Sequence, residues 1–207
     1  MNHSLKKYLE LGESESLDYK ETISNANKIA KTIVSFCNTK GGKIIVGVND
    51  KRKVVGVHPQ EEKYMIQLAV DTYCYPKPDI KFEEIEDNNK QVLVVHIAEG
   101  NLKPYKSKSQ DNKWKAYVRN ADRSEIASGI WTLSQHILKN QTQSLVFGNE
   151  EQTILKLVKA SPCNINTLKK NSKINYFKLR KILANLLILN MIRIDKNGKN
   201  EVFHVKE

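Results

Sequence analysis

Hydrophobic positions in the first half of the chain switch between two spacings. Ser16-Leu17-Asp18-Tyr19-Lys20 alternates polar and apolar residues, the period of a half-buried strand. Ser24 can cap a helix that runs to Asn38, with Ile29, Ala30, Ile33, Val34 and Cys37 on one face. Gly41-Gly42 ends it. Residues 43–48 read as a buried strand, Asn49-Asp50-Lys51-Arg52 as a turn, and 54–57 as a returning strand. A second helix is predicted over 60–73, stopped ahead of Pro76. Strands near 79–85 and 91–98 follow. Gln91-Val92-Leu93-Val94-Val95-His96-Ile97 is apolar enough to lie in the middle of a sheet. A strand over 114–119 and a helix over 124–139 complete an α+β domain.

The tail has a different rhythm. Residues 150–160 form an amphipathic helix with Ile154, Leu155, Leu157 and Val158 as its stripe, broken at Pro162. A second helix is predicted over 166–170. A third, over 175–189, offers Phe177, Leu179, Ile182, Leu183, Leu186 and Leu187 to a core. Strands at 191–195 and 201–205 flank Lys196-Asn197-Gly198-Lys199, and Asn-Gly is a strong hairpin signal. Three helices followed by a hairpin is the order of a winged helix-turn-helix. The predicted division is a domain at 1–142 and a winged-helix domain at 148–207. The polar run Asn140-Gln141-Thr142-Gln143-Ser144 joins them.

Charge sharpens the picture. Among 207 residues, 34 are Lys or Arg and 23 are Asp or Glu, a formal net charge of +11. A chain this basic attracts polyanions, with nucleic acid first among them. Residues 148–207 hold 12 basic and 5 acidic residues, so the tail is the more basic part. No apolar run approaches a membrane span, and no secretory signal follows Met1, so a cytoplasmic protein without a membrane partner is expected. Cys37, Cys74 and Cys163 lie far apart and read as reduced thiols. The five His residues show no ligand spacing, so no zinc is expected. Asn38-Thr39-Lys40-Gly41-Gly42-Lys43 follows a helix and lacks phosphate-loop spacing. It reads as a helix stop, and no nucleotide cofactor is expected.

Two segments suit nucleic acid. The N-terminal half of the third tail helix carries Lys173, Asn175, Tyr176, Lys178, Arg180 and Lys181, and a recognition helix presents that end to bases. Lys196 and Lys199 flank the wing tip, in reach of phosphates. In the first domain Lys103, Lys106, Lys108, Lys113 and Lys115 are interleaved with Tyr105, Trp114 and Tyr117. Cations plus rings suit RNA or single strands. The alternative is a solvated lysine loop between strands, with Trp114 and Tyr117 partly in the core.

Several motifs occur in order across 13–135: Glu13-Ser14-Glu15-Ser16-Leu17-Asp18-Tyr19-Lys20; Phe36-Cys37-Asn38-Thr39-Lys40-Gly41-Gly42; Ile45-Val46-Gly47-Val48-Asn49-Asp50; Val55-Gly56-Val57; Lys103-Pro104-Tyr105; and Tyr117-Val118-Arg119. The stretch resembles the Schlafen-type divergent AlbA-like domain. The resemblance implies a mixed sheet with helices and two candidate activities. One is a divalent-metal-dependent endoribonuclease cutting structured RNA such as transfer RNA. The other is a non-enzymatic, dimeric DNA-binding regulator. By motif position, Glu13, Asp18 and Asp50 would hold Mg²⁺ or Mn²⁺, with Asp18 replacing the family's usual Glu. Lys20 would stabilise charge on the phosphate, and Arg119 would contact nucleic acid. The Schlafen core joins two such lobes, so this single lobe implies a homodimer. Oxygen ligands suit a hard cation that activates water for phosphodiester hydrolysis. Glu13 and Asp18 are five apart, so their convergence requires a bend near Ser14–Ser16.

Overall fold

The computed structural model describes residues 3–140, 145, 147–197 and 200–206. Most of the predicted linker (141–144) and Lys199, expected at a wing tip, lie outside them. The chain divides into two compact units, Met1–Ala127 and Ser128–Glu207.

The first unit is α+β. Helix α1 (His3–Leu11) precedes β1 (Leu17–Lys20), α2 (Ala26–Asn38), β2 (Gly42–Val46) and α3 (Pro59–Tyr73). Strands β3 (Cys74–Tyr75), β4 (Ile80–Asp87), β5 (Lys90–Ile97), β6 (Lys106–Lys108), β7 (Trp114–Asn120) and β8 (Arg123–Ile126) follow. One sheet has the order β1-β2-β5-β4, with β1 parallel to β2 and the other pairs antiparallel. The second, antiparallel throughout, has the order β3-β6-β7-β8.

The central place expected for β5 follows from burial on both faces. Leu93, Val95 and Ile97 join the core built on α2 and α3, while Val92 and Val94 join a second core with Leu5 of α1. Helix α2 packs against α3 and against β5 to β8. Its buried residues therefore run from Ala26 to Asn38 on nearly every face rather than along one stripe. Asn25, not Ser24, caps it by accepting the Lys28 N–H at 3.0 Å.

Three expectations are corrected. Helix α1 was not predicted; it is short and polar, and packing of Leu5, Tyr8 and Leu9 on the sheet holds it. The returning strand at 54–57 shrinks to one bridge, Val48 to Val54. Gly47 and Gly56, at φ +103° and +83°, turn the chain out of the sheet there. The predicted helix 124–139 is a strand and a helix. Ala127 N–H still bonds Ala116 in β7, and Ser128 then caps α4 (Gly129–Lys139). Ile130, Leu133 and Ile137 of α4 pack into the second unit's core. The boundary thus falls at 127/128, before the predicted linker.

The second unit continues with α5 (Asn149–Ala160), α6 (Ile165–Ser172), α7 (Tyr176–Ile188) and the antiparallel strands β9 (Ile192–Asn197) and β10 (Asn200–Val205). Ile154, Val158, Leu168, Leu179, Leu183, Leu186 and Phe203 are almost fully buried between them. The segment between α5 and α6 bridges to the hairpin through two backbone bonds joining Cys163 and Phe203. Phe177, expected in the core, is 72% exposed; the buried stripe of α7 starts at Leu179. Among the described residues no helix is long and apolar enough to cross a membrane.

Candidate nucleic-acid interface

The bend required near Ser14–Ser16 exists: Ser14 N–H bonds the Leu17 carbonyl at 2.9 Å. It does not gather the acids. The Glu13 carboxylate accepts the Tyr19 N–H at 2.9 Å. Asp18 is buried, with one oxygen 3.2 Å from Arg119 Nη1 and the other 2.6 Å from Lys20 Nζ. Asp50 sits exposed in a turn that Asn49 organises by accepting the N–H groups of Lys51 and Lys53. Among the described residues no group of three or more His, Cys, Asp or Glu could hold a metal ion. Glu13, Asp18 and Asp50 therefore do not fit the Mg²⁺ or Mn²⁺ site that the resemblance implied. Two cations already neutralise Asp18, and Lys20 is one of them.

Arg119 is the other, and its surroundings explain several motif residues at once. Its side chain is 1% exposed. It bonds Asp18, the Ser14 carbonyl at 2.9 Å and the Ser124 hydroxyl at 3.3 Å, and its guanidinium lies 4.7 Å from the Phe36 ring centroid. A buried cation needs such partners, because desolvation is costly without them. Asn38 ends α2 nearby. Its amide nitrogen donates to the carbonyls of Tyr105 and Tyr117, each at 2.7 Å, and its oxygen accepts Tyr105 N–H at 2.8 Å. Thr39 Oγ1 accepts Arg119 N–H at 3.0 Å and donates to the Ser35 carbonyl at 2.8 Å. A Cβ on Gly42 would come 2.5 Å from Phe36 and 2.8 Å from the Ser16 carbonyl, so only glycine passes.

The motif around Asn38 is thus a buried polar knot tying α2 to β1, β7 and the segment before β6. Burial also pushes the Cys37 thiol up to about 12 and raises the hydroxyls of Tyr105 and Tyr117. Tyr105 is 4% exposed. Tyr105 and Arg119, expected to touch nucleic acid, are closed to it.

The lysines of that segment separate by partner. Lys103 pairs with Glu99 at 2.7 Å and donates to the Thr39 carbonyl. Lys113 and Lys115 lie 3.7 and 3.4 Å from Asp111. The Ser109 hydroxyl, followed by Lys115, holds the Asp111 carboxyl down at about 2, so that pairing persists to acid pH. Lys106 and Lys108 have no carboxylate partner among the described residues. Tyr75 lies across from Lys106, and Trp114 across from Lys108. Cross-strand partners share a face, so these four side chains stand together. The two rings lie 6.2 Å apart at 63°, exposed by 67% and 45%. Sequence reading named Trp114 but missed Tyr75, which only the register of a two-residue strand brings into place.

On the tail, Tyr176, Phe177, Lys178 and Lys181 are exposed and Arg180 is half-buried beside the Tyr176 ring. Lys178 pairs with Glu150 at 2.6 Å. Asn175 uses its side chain as the α7 cap, accepting Phe177 N–H at 2.9 Å, and Lys173 ends α6 in the left-handed region. Lys196 is half-buried in β9.

One mixed and one antiparallel sheet packed around a buried helix, closed by a polar knot, place the first unit in the AlbA-like class of α+β domains. The chain belongs to the Schlafen AlbA_2 family, whose model matches residues 13–128. Membership suggests nucleic-acid binding as the general class of activity. No curated protein sequence matches the chain. Among solved structures, the DIP2311 protein of Corynebacterium diphtheriae is similar over 80% of this chain and 32% of its own, at 15% identity and a TM-score of 0.46. This chain therefore spans about a third of that protein's length. The N-terminal domain of a putative ATP-dependent DNA helicase RecG-related protein from Nitrosomonas europaea is similar over 70% of this chain and 92% of its own, at 19% identity and a TM-score of 0.44.

Proposed function

We propose that this protein binds nucleic acid without cutting it, using α7 as the recognition helix of a winged helix. One observation carries the reading: the N-terminal half of α7 exposes Tyr176, Lys178 and Lys181 while Leu179, Ile182 and Leu183 hold the same helix in the core. The order of three helices and a hairpin supports it, as does the Cys163–Phe203 bridge that anchors the hairpin to the helices. A helix so presented can enter a major groove, with Lys181 and Arg180 meeting base edges or phosphates. A homodimer would set two such helices about one DNA turn apart, roughly 34–36 Å. The endoribonuclease reading needs three carboxylates on one cation, and among the described residues no group of three such ligands forms.

The test is duplex binding by the full chain across a salt series, beside incubation with transfer RNA in Mn²⁺, Mg²⁺ or EDTA. Salt-dependent binding weakened by Lys181→Ala and Arg180→Ala, with RNA left intact, is the expected result. Discrete metal-dependent fragments that vanish in Glu13→Ala and Asp50→Ala would overturn it.

A further inference from the structure

Tyr75 and Trp114 share one face of the second sheet of the first unit. The opposite face of the same sheet carries Cys74, Ser107 and Tyr117, all buried. On the outer face two large aromatic side chains, Tyr75 and Trp114, stay exposed by 67% and 45%. Leaving that much aromatic surface exposed forfeits the free energy its burial would give. Among the described residues, Lys106 and Lys108 are the lysines of this segment without a carboxylate partner, and they stand on the same face, across from Tyr75 and Trp114. The other lysines of the segment are engaged by Glu99 or Asp111.

Resting on the nucleic-acid reading above, we infer that this face is a stacking platform for single-stranded nucleic acid. Open π-faces accept any unpaired base, and adjacent ammonium groups answer the phosphates between bases. A duplex cannot use the platform, because its base faces are already stacked on one another. The interplanar angle of 63° adds a geometric statement. Two rings so inclined cannot sandwich one base, so each takes a different nucleotide and the strand bends between them. The platform belongs to the first unit and α7 to the second, so the chain carries one surface suited to paired strands and another suited to unpaired ones.

The chain has two tryptophans, Trp114 and Trp131. Trp131→Phe in the full-length protein makes Trp114 the sole reporter. Titration with short oligo(dT), oligo(rU) and a duplex of the same length is then read by tryptophan fluorescence and, separately, by anisotropy of labelled strands. Single strands should quench Trp114, while the duplex binds without quenching it. Trp114→Ala and Tyr75→Ala should each weaken single-strand binding by roughly 5- to 100-fold, with unchanged melting midpoints. Trp114→Phe should restore most of the loss. Lys106→Ala and Lys108→Ala should each lower the salt slope of single-strand binding by about 0.7. Quenching by either oligonucleotide supports the platform, and the tighter of the two identifies the preferred sugar.

Single strands that bind without quenching, and equally well to both alanine variants, overturn the platform while leaving the nucleic-acid reading intact. Absence of binding to single strand and duplex alike overturns both. Loss of self-association in the alanine variants, with nucleic-acid affinity unchanged, would reassign the face to a contact between copies.

Discussion

Arg119 and Lys108 stand on neighbouring strands of one sheet, β7 and β6, and project to opposite faces. Arg119 has given up water for a carboxylate, a carbonyl, a hydroxyl and an aromatic ring. Lys108 is half-exposed on the outer face and has no charged partner among the described residues. In the sequence nothing sets the two cations apart. The difference teaches that a cation already satisfied by its own protein holds the fold, whereas one left unsatisfied is available to a ligand. The same test sorts the acids. Asp18 lies 3.2 Å from Arg119 and 2.6 Å from Lys20, which makes it their counterion.

The sharpest way to probe that comparison is to break the knot. Asn38→Ala strands three buried backbone groups, at about 1–3 kcal/mol each. It should produce the largest loss of stability, read as a fall in the urea midpoint. Next comes Asp18→Asn, which leaves Arg119 buried beside a neutral partner. Breaking one side of a buried pair costs about 3–5 kcal/mol. Asp18→Asn with Arg119→Met should cost less than the two singles added together. An Asp18→Asn protein as stable as its parent would show that this pairing does not hold the fold.

Alkaline titration tests the same core more gently. Burial raises the folded-state Cys37 thiol from 9.0 to about 12. Below 9 the thiol is protonated in both states and stability is flat. Between 9 and 12 the unfolded chain loses the proton first, so stability falls as pH rises. Cys37→Ala should reduce that slope, leaving the part that buried Cys74 contributes, and thiol reagents should leave native Cys37 and Cys74 unmodified. The smallest effect on stability belongs to the open face. Lys108→Ala should stay within about 0.5 kcal/mol of the parent while altering the salt dependence of single-strand binding.

How far the sequence is legible follows from what periodicity encodes. Helix α2, strand β5 and the helices α5 to α7 show their periods because each is long enough to repeat one. The strands β3 and β6, of two and three residues, have no period to show. They are nevertheless the elements that carry Tyr75 to Trp114. The helix predicted over 124–139 hid a strand because residues 123–126 are too few to overrule the helical pattern after them. Motif order identified the domain correctly. It could not reveal whether Glu13, Asp18 and Asp50 converge, since the outcome depends on Arg119, about a hundred residues away. Phe177 was placed in the core by spacing alone; the true stripe of α7 begins two residues later.

The strand order of the first sheet leaves β4 on an outer edge. That edge is eight residues long, and a strand of such length with open backbone groups can recruit another chain. Glu83, Glu84 and Glu86 line it, after a single Lys81. An identical strand added antiparallel would set carboxylates against carboxylates, and like charges in register repel. This edge therefore discourages continuous sheet growth from copy to copy. Any pairing of two copies would have to be built on another surface.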